Sequence, residues 1–325
     1  MIKNPNADRN EKIIALTDLK TVVEIKKHPS MGFIFLKAFL MSPFRSNTIK
    51  DDAIVNRTRI VLKNYLPDKE RIANYRTVCD FSEDRPDIIP ISYLQTLFIG
   101  LLGRFITASF FPINPLGLIQ VFQSFEQKRA VATDETLDLS CTLDTIKKTE
   151  KGIETNFTLE VISEGKLVWQ GTSTFFTRSQ VKKKKRPKKK DDIFLEEKET
   201  ILVPSGTGRK YALVSGDYNP HHLYTLLAKL FGFKRAIAHG MWSLARVIAS
   251  LDRKFSLPDA VHIEASFKLP IFMPATIVLG YDCQNNSENN PTRIIFELRD
   301  KQKGLPHIKG RLLNKYQGEL IYTGH

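Results

Sequence analysis

Two stretches of the chain alternate apolar and polar side chains with a period of two. Leu137, Leu139, Cys141 and Leu143 alternate with Asp138, Ser140, Thr142 and Asp144. Val261, Ile263, Ala265, Phe267 and Leu269 alternate with His262, Glu264, Ser266 and Lys268. That pattern predicts half-buried strands. Each follows a stretch of helical character: the long apolar run Ile88 to Phe110 in the first half, and Met241, Leu244, Ala245, Ile248 and Leu251, opening just after Gly240, in the second. Leu223, Leu226, Leu227, Leu230 and Phe231 fall at i, i+3, i+4, i+7 and i+8 and predict one apolar helix face. Further strands are predicted at Val55 to Leu62, Phe157 to Ile162, Val168 to Thr177, Ile277 to Tyr281, Arg293 to Arg299 and Ile308 to Leu313. A short helix is predicted within Met31 to Phe44.

Both halves therefore read as a helix followed by antiparallel strands, which suggests a degenerate internal duplication and an α+β arrangement of long helices buried on curved sheets. The expected boundaries are an N-terminal extension over 1–53, a first domain over 54–180, a linker over 181–192 and a second domain over 193–325. At 325 residues, two domains agree with the length prior of ~150 residues each.

Charge and cysteine usage narrow the picture. The formal charge is +14, but KKKKRPKKK at Lys182 to Lys190 holds eight basic residues in nine, and without them the remainder is +6. The basic character is local, with no interleaved aromatic motif, so nucleic acid is not an expected partner. The lysine run reads as a solvated linker, with an acidic partner or an anionic membrane surface as alternatives. Cys79, Cys141 and Cys283 are odd in number and far apart, which argues against disulfides or a cysteine metal site and for a reducing, cytoplasmic setting. The N-terminus lacks the apolar core of a secretory signal. The apolar region Ile88 to Phe125 is interrupted by Arg104, Pro112, Asn114, Pro115 and Gly117, so it reads as a buried helix followed by a turn rather than a span. Met31 to Phe44 reads as packing on the following domain, with a peripheral membrane anchor as its alternative.

The densest chemistry lies between Tyr211 and Met241. Ser215, Gly216, Asp217, Asn219 and Pro220 are turn formers leading into a helix near His222. Asp217 and His222 stand across that turn, where a carboxylate and an imidazole could converge as a general acid/base pair. Ile237-Ala238-His239-Gly240-Met241 opens the next helix, whose first N–H groups lack intrahelical acceptors and favour negative charge. Gly240 there would admit a substrate carbonyl to an oxyanion hole. The plain alternative is that Asp217 is a turn residue and His222 a half-exposed helix-start residue. Asp217, His222 and His239 also have the composition of a two-histidine, one-carboxylate metal site.

These segments carry a resemblance. Ser215-Gly216-Asp217-Tyr218-Asn219-Pro220-His221-His222, Leu230-Phe231-Gly232-Phe233, Ile237 to Trp242 and Ser266-Phe267-Lys268-Leu269-Pro270 with the run to Pro274 resemble the signature of MaoC-like R-specific enoyl-thioester hydratases and 3-hydroxyacyl-thioester dehydratases. The match covers the C-terminal half, and the whole chain looks like the double hot-dog members, whose N-terminal copy is decayed and holds the acyl chain. The resemblance implies a double hot-dog fold and reversible hydration of trans-2-enoyl thioesters to 3R-hydroxyacyl thioesters. It implies Asp217 and His222 as the catalytic dyad, Asn219 as support, and Gly240 with His239 at the thioester carbonyl. No metal and no cofactor are expected. The substrate would be an acyl-CoA or an acyl-carrier-protein thioester, the acidic partner for Lys182 to Lys190 would be the carrier or the CoA phosphates, and the oligomer would be a monomer or homodimer. His221 departs from the family pattern, which usually has an aliphatic residue there. A hot-dog thioesterase and a non-catalytic acyl-thioester binding or docking module are the rival functions.

The first half offers no second dyad. Setting Tyr75 on Tyr211, 136 residues apart, places Phe81 opposite Asp217 and Pro86 opposite His222, and no histidine occurs between His28 and His221. One active site per chain is expected.

Overall fold

The computed structural model describes residues 12–16, 18, 21–29, 31–41, 45, 49, 54–115, 117–178, 195–284 and 291–314. The linker expected at 181–192, with its lysine run, lies outside the described residues.

In chain order the elements are β1 (Lys12–Leu16), β2 (Thr21–Ile25), α1 (Met31–Met41), β3 (Ile54–Val55), β4 (Thr58–Tyr65), α2 (Lys69–Cys79), α3 (Ile91–Thr96), α4 (Ile99–Ile106), β5 (Ile119–Gln127), β6 (Leu137–Thr149), β7 (Gly152–Ser163), β8 (Lys166–Arg178), β9 (Glu197–Val203), α5 (Thr207–Ser215), α6 (Pro220–Leu223), α7 (Thr225–Leu230), α8 (Gly240–Phe255), β10 (Val261–Phe267), β11 (Ala275–Gln284), β12 (Arg293–Asp300) and β13 (Pro306–Asn314). The strands form one continuous sheet in the order β2-β4-β6-β7-β8-β5-β10-β13-β12-β11-β9, with β1 pairing β3 and β6. The two halves join where β5 and β10 run antiparallel, from Val261 opposite Gln127 to Ser266 opposite Phe122.

Each half lays helices on its own stretch of sheet, the α+β double hot-dog arrangement. The alternation read in the sequence puts Leu137, Leu139, Cys141 and Leu143, and likewise Val261, Ile263 and Ala265, into the core. α8 buries Leu244, Ala245, Val247, Ile248 and Leu251 beneath them, and its Trp242 indole donates to Val78 O on α2 at 3.1 Å.

Three readings need correction. The single helix expected from Ile88 to Phe110 is broken into α3 and α4, with Leu97 N and Phe98 N bonding three residues back to Leu94 O and Gln95 O. Gly100 and Gly103 follow the break and take close neighbours: Pro29 lies over Gly100, and the Ile34 side chain of α1 fills the space of a Cβ at Gly103. The helix face expected from Leu223 to Phe231 is divided between α6 and α7, and Leu226 and Leu230 are 75% and 79% exposed rather than packed inward. Strands β5 and β9 carry mixed polar and apolar residues and escaped the pattern, although β5 is the seam between the halves. Among the described residues no helix is long and apolar enough to cross a membrane.

The internal repeat is visible in hydrogen bonds. α2 and α5 both end on a left-handed residue, Asp80 (φ 61°) and Gly216 (φ 83°), and their Tyr75 and Tyr211 rings lie 5.9 Å apart. Before α3, Ile89 N donates to Val131 O and Thr133 N to Asp87 O. Before α8, Ala238 N donates to Ile271 O and Met273 N to Ala236 O. Ile88 bridges Ala132 as Ile237 bridges Phe272. The two halves thus superimpose in logic up to Asp80/Gly216 and again from Ile88/Ile237, and differ in the length of the segment between.

Candidate active site

The second half builds its site on that longer segment. α5 ends at Gly216, whose positive φ turns the chain toward Asp217. Asp217 N donates to Ser215 Oγ at 3.1 Å, and Asn219 N donates to the Asp217 carboxylate at 3.2 Å. Asn219 is the N-cap of α6, with Pro220 at its first turn, and Asn219 O accepts from His222 N at 3.0 Å. Asn219 therefore links the two expected dyad members through its backbone, and its side chain makes no cap hydrogen bond. Gly208 of α5 lets the turn close: a Cβ there would stand 2.0 Å from His222 O.

His222 is buried, and its Nδ1 lies 2.8 Å from Ile237 O. A carbonyl only accepts, so Nδ1 carries the proton and Nε2 keeps its lone pair. His239 is the N-cap of α8. Its Nε2 donates to Asp217 O at 2.9 Å and lies 3.9 Å from the Asp217 carboxylate. Its ring stacks on that of His222 with centroids 3.7 Å apart and planes 27° from parallel. His221 meets His222 edge-on with centroids 4.1 Å apart, and its ring also lies against Phe231 and Phe233.

The electrostatics follow from this crowding. Burial first, then the charge His239 would carry, pushes His222 down to about 3, against the pull of Asp217. His239 and His221 are likewise pushed to about 3, chiefly by burial. All three rings are neutral at pH 7. His222 is then a hydrogen-bond-oriented base beside a carboxylate that reaches the surface.

The α8 terminus stands beside this pair. His239 makes no side-chain cap bond to α8, so the first N–H groups at Gly240 and Met241 have no cap from that side chain. The missing Gly240 side chain is also a packing requirement, because a Cβ there would lie 3.0 Å from the Phe267 ring of β10.

Asp217, His222 and His239 offer ligand-type atoms all within 4.8 Å of one another, the set that could hold a metal ion. Their tautomers shape that option. Nδ1 of His222 and Nε2 of His239 are engaged with carbonyls, which leaves Nε2 and the buried, unpartnered Nδ1 on two stacked rings.

Two arginines of the first half were not singled out in the sequence. Arg71 of α2 donates Nε to Val214 O at 2.7 Å, and its guanidinium occupies the space a Cβ at Gly216 would need. Arg76 donates to Ser82 O at 2.8 Å, Arg85 O and Ile88 O. Ile88 O is the counterpart of Ile237 O, so Arg76 holds in the first half the carbonyl that His222 holds in the second. Phe81 follows the α2 cap where Asp217 follows the α5 cap, and Pro90 and Ile91 stand for His239 and Gly240. A cavity of about 310 Å³ lies at this counterpart position, at the far end of α8 from the dyad, lined in part by Arg76, Phe81, Ile88, Gln127, Ile248 and Asp252. These residues are contributed across long sequence separations, which no local motif displays.

Residues 180–303 match the family described as MaoC like domain. The chain is 26% identical over 262 residues to 3-hydroxyacyl-thioester dehydratase X from Mycobacterium tuberculosis, covering 80% of this chain and 90% of that one. Its fold is similar to the crystal structure of HtdX from M. tuberculosis (TM-score 0.67, 23% identity, 78% of this chain and 98% of that chain). It is also similar to that of a MaoC-like dehydratase from Phytophthora capsici (TM-score 0.63, 20% identity, 79% of this chain and 94% of that chain).

Proposed function

From the premise that the chain carries a MaoC-like domain on a double hot-dog frame, we propose that it interconverts 3R-hydroxyacyl and trans-2-enoyl thioesters. The observation that carries the reading is the His222 tautomer: Nδ1–H donated to Ile237 O leaves Nε2 basic beside Asp217.

In the dehydration direction the first N–H groups of α8 at Gly240 take up the thioester carbonyl and the negative charge that grows on it. His222 Nε2 removes the C2 proton. The imidazolium so formed, held beside the Asp217 carboxylate, passes that proton to the C3 hydroxyl as the C3–O bond breaks, and water leaves. Imidazole and carboxylate are then back in their starting states. Hydration is the reverse. Both groups act from one side of the cleft, which favours syn geometry. His239 positions the pair by stacking on His222 and holding Asp217 O, and Asn219 does so through its backbone. The first half, with Phe81 and Arg76 in the equivalent places, supplies no second dyad and no acid/base chemistry.

The test is loss of enoyl-thioester absorbance on mixing the protein with crotonyl-CoA and a medium-chain trans-2-enoyl-CoA. Asp217→Asn and His222→Ala are expected to lose at least ~10²-fold in rate, the lower end of acid/base contributions, with circular dichroism unchanged. Near-native turnover by either variant would remove the dyad assignment. Free thiol released by the native chain would make it a thioesterase instead.

A further inference from the structure

Gly216 to Ile237 comprises 22 residues, against 9 from Asp80 to Ile88 in the first half. The extra length holds α6 and α7, and it supplies more than His222. Between Pro204 and Met241 the sequence has five basic residues, Arg209, Lys210, Lys229, Lys234 and Arg235, and one acid, Asp217. All five cations are exposed. Leu213, Tyr218, Tyr224, Leu226, Leu230 and Phe231 are exposed among them. The elements are stitched into one surface: Arg209 donates to Leu223 O at 3.1 Å and lies over the Tyr224 ring at 5.2 Å, and Ile237 N donates to His221 O.

We propose that this face, which includes the partly exposed Asp217, docks on an anionic lipid surface. The meaning of that docking rests on the proposed dyad, but the docking itself is measured without substrate. A second copy of the chain is a poor occupant, because a two-fold contact would set five cations against five. A protein partner ordinarily meets large apolar residues seated in packed pockets. Here Leu226 and Leu230 stand exposed on α7, in a segment that also exposes tyrosine, lysine and arginine, the composition of a segment lying in a bilayer interface. Cations near an anionic leaflet add attraction that salt removes.

The experiment is co-sedimentation of the full chain with phosphatidylcholine vesicles, with and without phosphatidylglycerol, at low and high salt. Because Lys182 to Lys190 could bind anionic vesicles alone, it is repeated in a background with that run changed to glutamine. In both backgrounds the protein is expected to sediment only with anionic vesicles at low salt. Leu226→Ser/Leu230→Ser, and separately Lys229→Gln/Lys234→Gln, are expected to weaken this at least ~10-fold. All variants are expected to keep native turnover of soluble crotonyl-CoA. Unchanged binding in both pairs of variants, binding that disappears with the lysine run alone, or capture by an acidic carrier protein but not by vesicles would overturn the proposal. Vesicle binding by a native chain that fails on enoyl thioesters would sink the catalytic reading and leave the docking intact.

Discussion

At the scale of residues, the site is defined by three neutral imidazoles packed within one turn and a helix start. His221, His222 and His239 are each pushed from 6.5 to about 3. Between those limits the unfolded chain binds more protons than the folded one, so their stability contribution is complete above about pH 6.5 and is lost as pH falls toward 3. Glu135 and Glu264, held near 2 by Arg129 and by His262 respectively, add their loss only below the ordinary carboxylate range. The window from pH 6.5 to 5 is therefore governed by histidines, with His28 and His307 contributing in the same direction. Urea midpoints measured across that window are expected to fall with acid. His221→Leu is expected to make the fall shallower and to retain hydration activity, since the His221 ring leaves Nδ1 buried without a partner. A profile identical to the native one would show that His221 is not titrating in the unfolded-to-folded difference. Asp217, His222, His239 and Gly240 were legible in the sequence because they fall within one short signature. Ile237 O, which fixes the tautomer, was not legible, because a backbone carbonyl carries no residue identity.

At the scale of elements, the dyad depends on how closely α5 approaches α6. Gly208 faces His222 O across that contact, and backbone cannot yield as a flexible side-chain end would. Gly208→Ala is expected to cost ~1–3 kcal/mol, the range for overpacking a close contact, and to reduce turnover more than it raises KM, because it displaces the residue that bears the base. A native melting temperature together with native kcat would refute the dependence. The strands read from strict alternation, β6 and β10, were recovered because their faces differ cleanly in polarity. α7 was misread for a physical reason: helical periodicity reports that a face is apolar, and says nothing about whether protein or another phase covers it. The apolar run Ile88 to Phe110 divides into α3 and α4 at Leu97 and Phe98, whose N–H groups bond three residues back, a change that an apolar pattern does not display.

At the scale of the molecule, one half packs against the half that holds the proposed dyad. β5 and β10 continue the sheet across the seam. α2 backs α5 through Arg71, and Arg246 of α8 lies 2.8 Å from Asp80 and 2.7 Å from Glu199, tying α8 to both halves. A fragment of residues 195–325 would expose the long edge of β10 and the apolar flank of α5 and α8, an arrangement prone to non-native pairing. That fragment alone is expected to aggregate or to lack hydration activity, and co-expression with residues 1–194 is expected to restore soluble, active complex, read by size-exclusion chromatography and crotonyl-CoA turnover. An isolated fragment that folds and turns over at the native rate would mean that the first half serves only to enclose substrate. The expected dependence follows from where Arg76 stands. The first half keeps the same loop carbonyl tied down by a guanidinium in place of an imidazole, so the structural hydrogen bond has a counterpart there where the proposed acid/base pair has none.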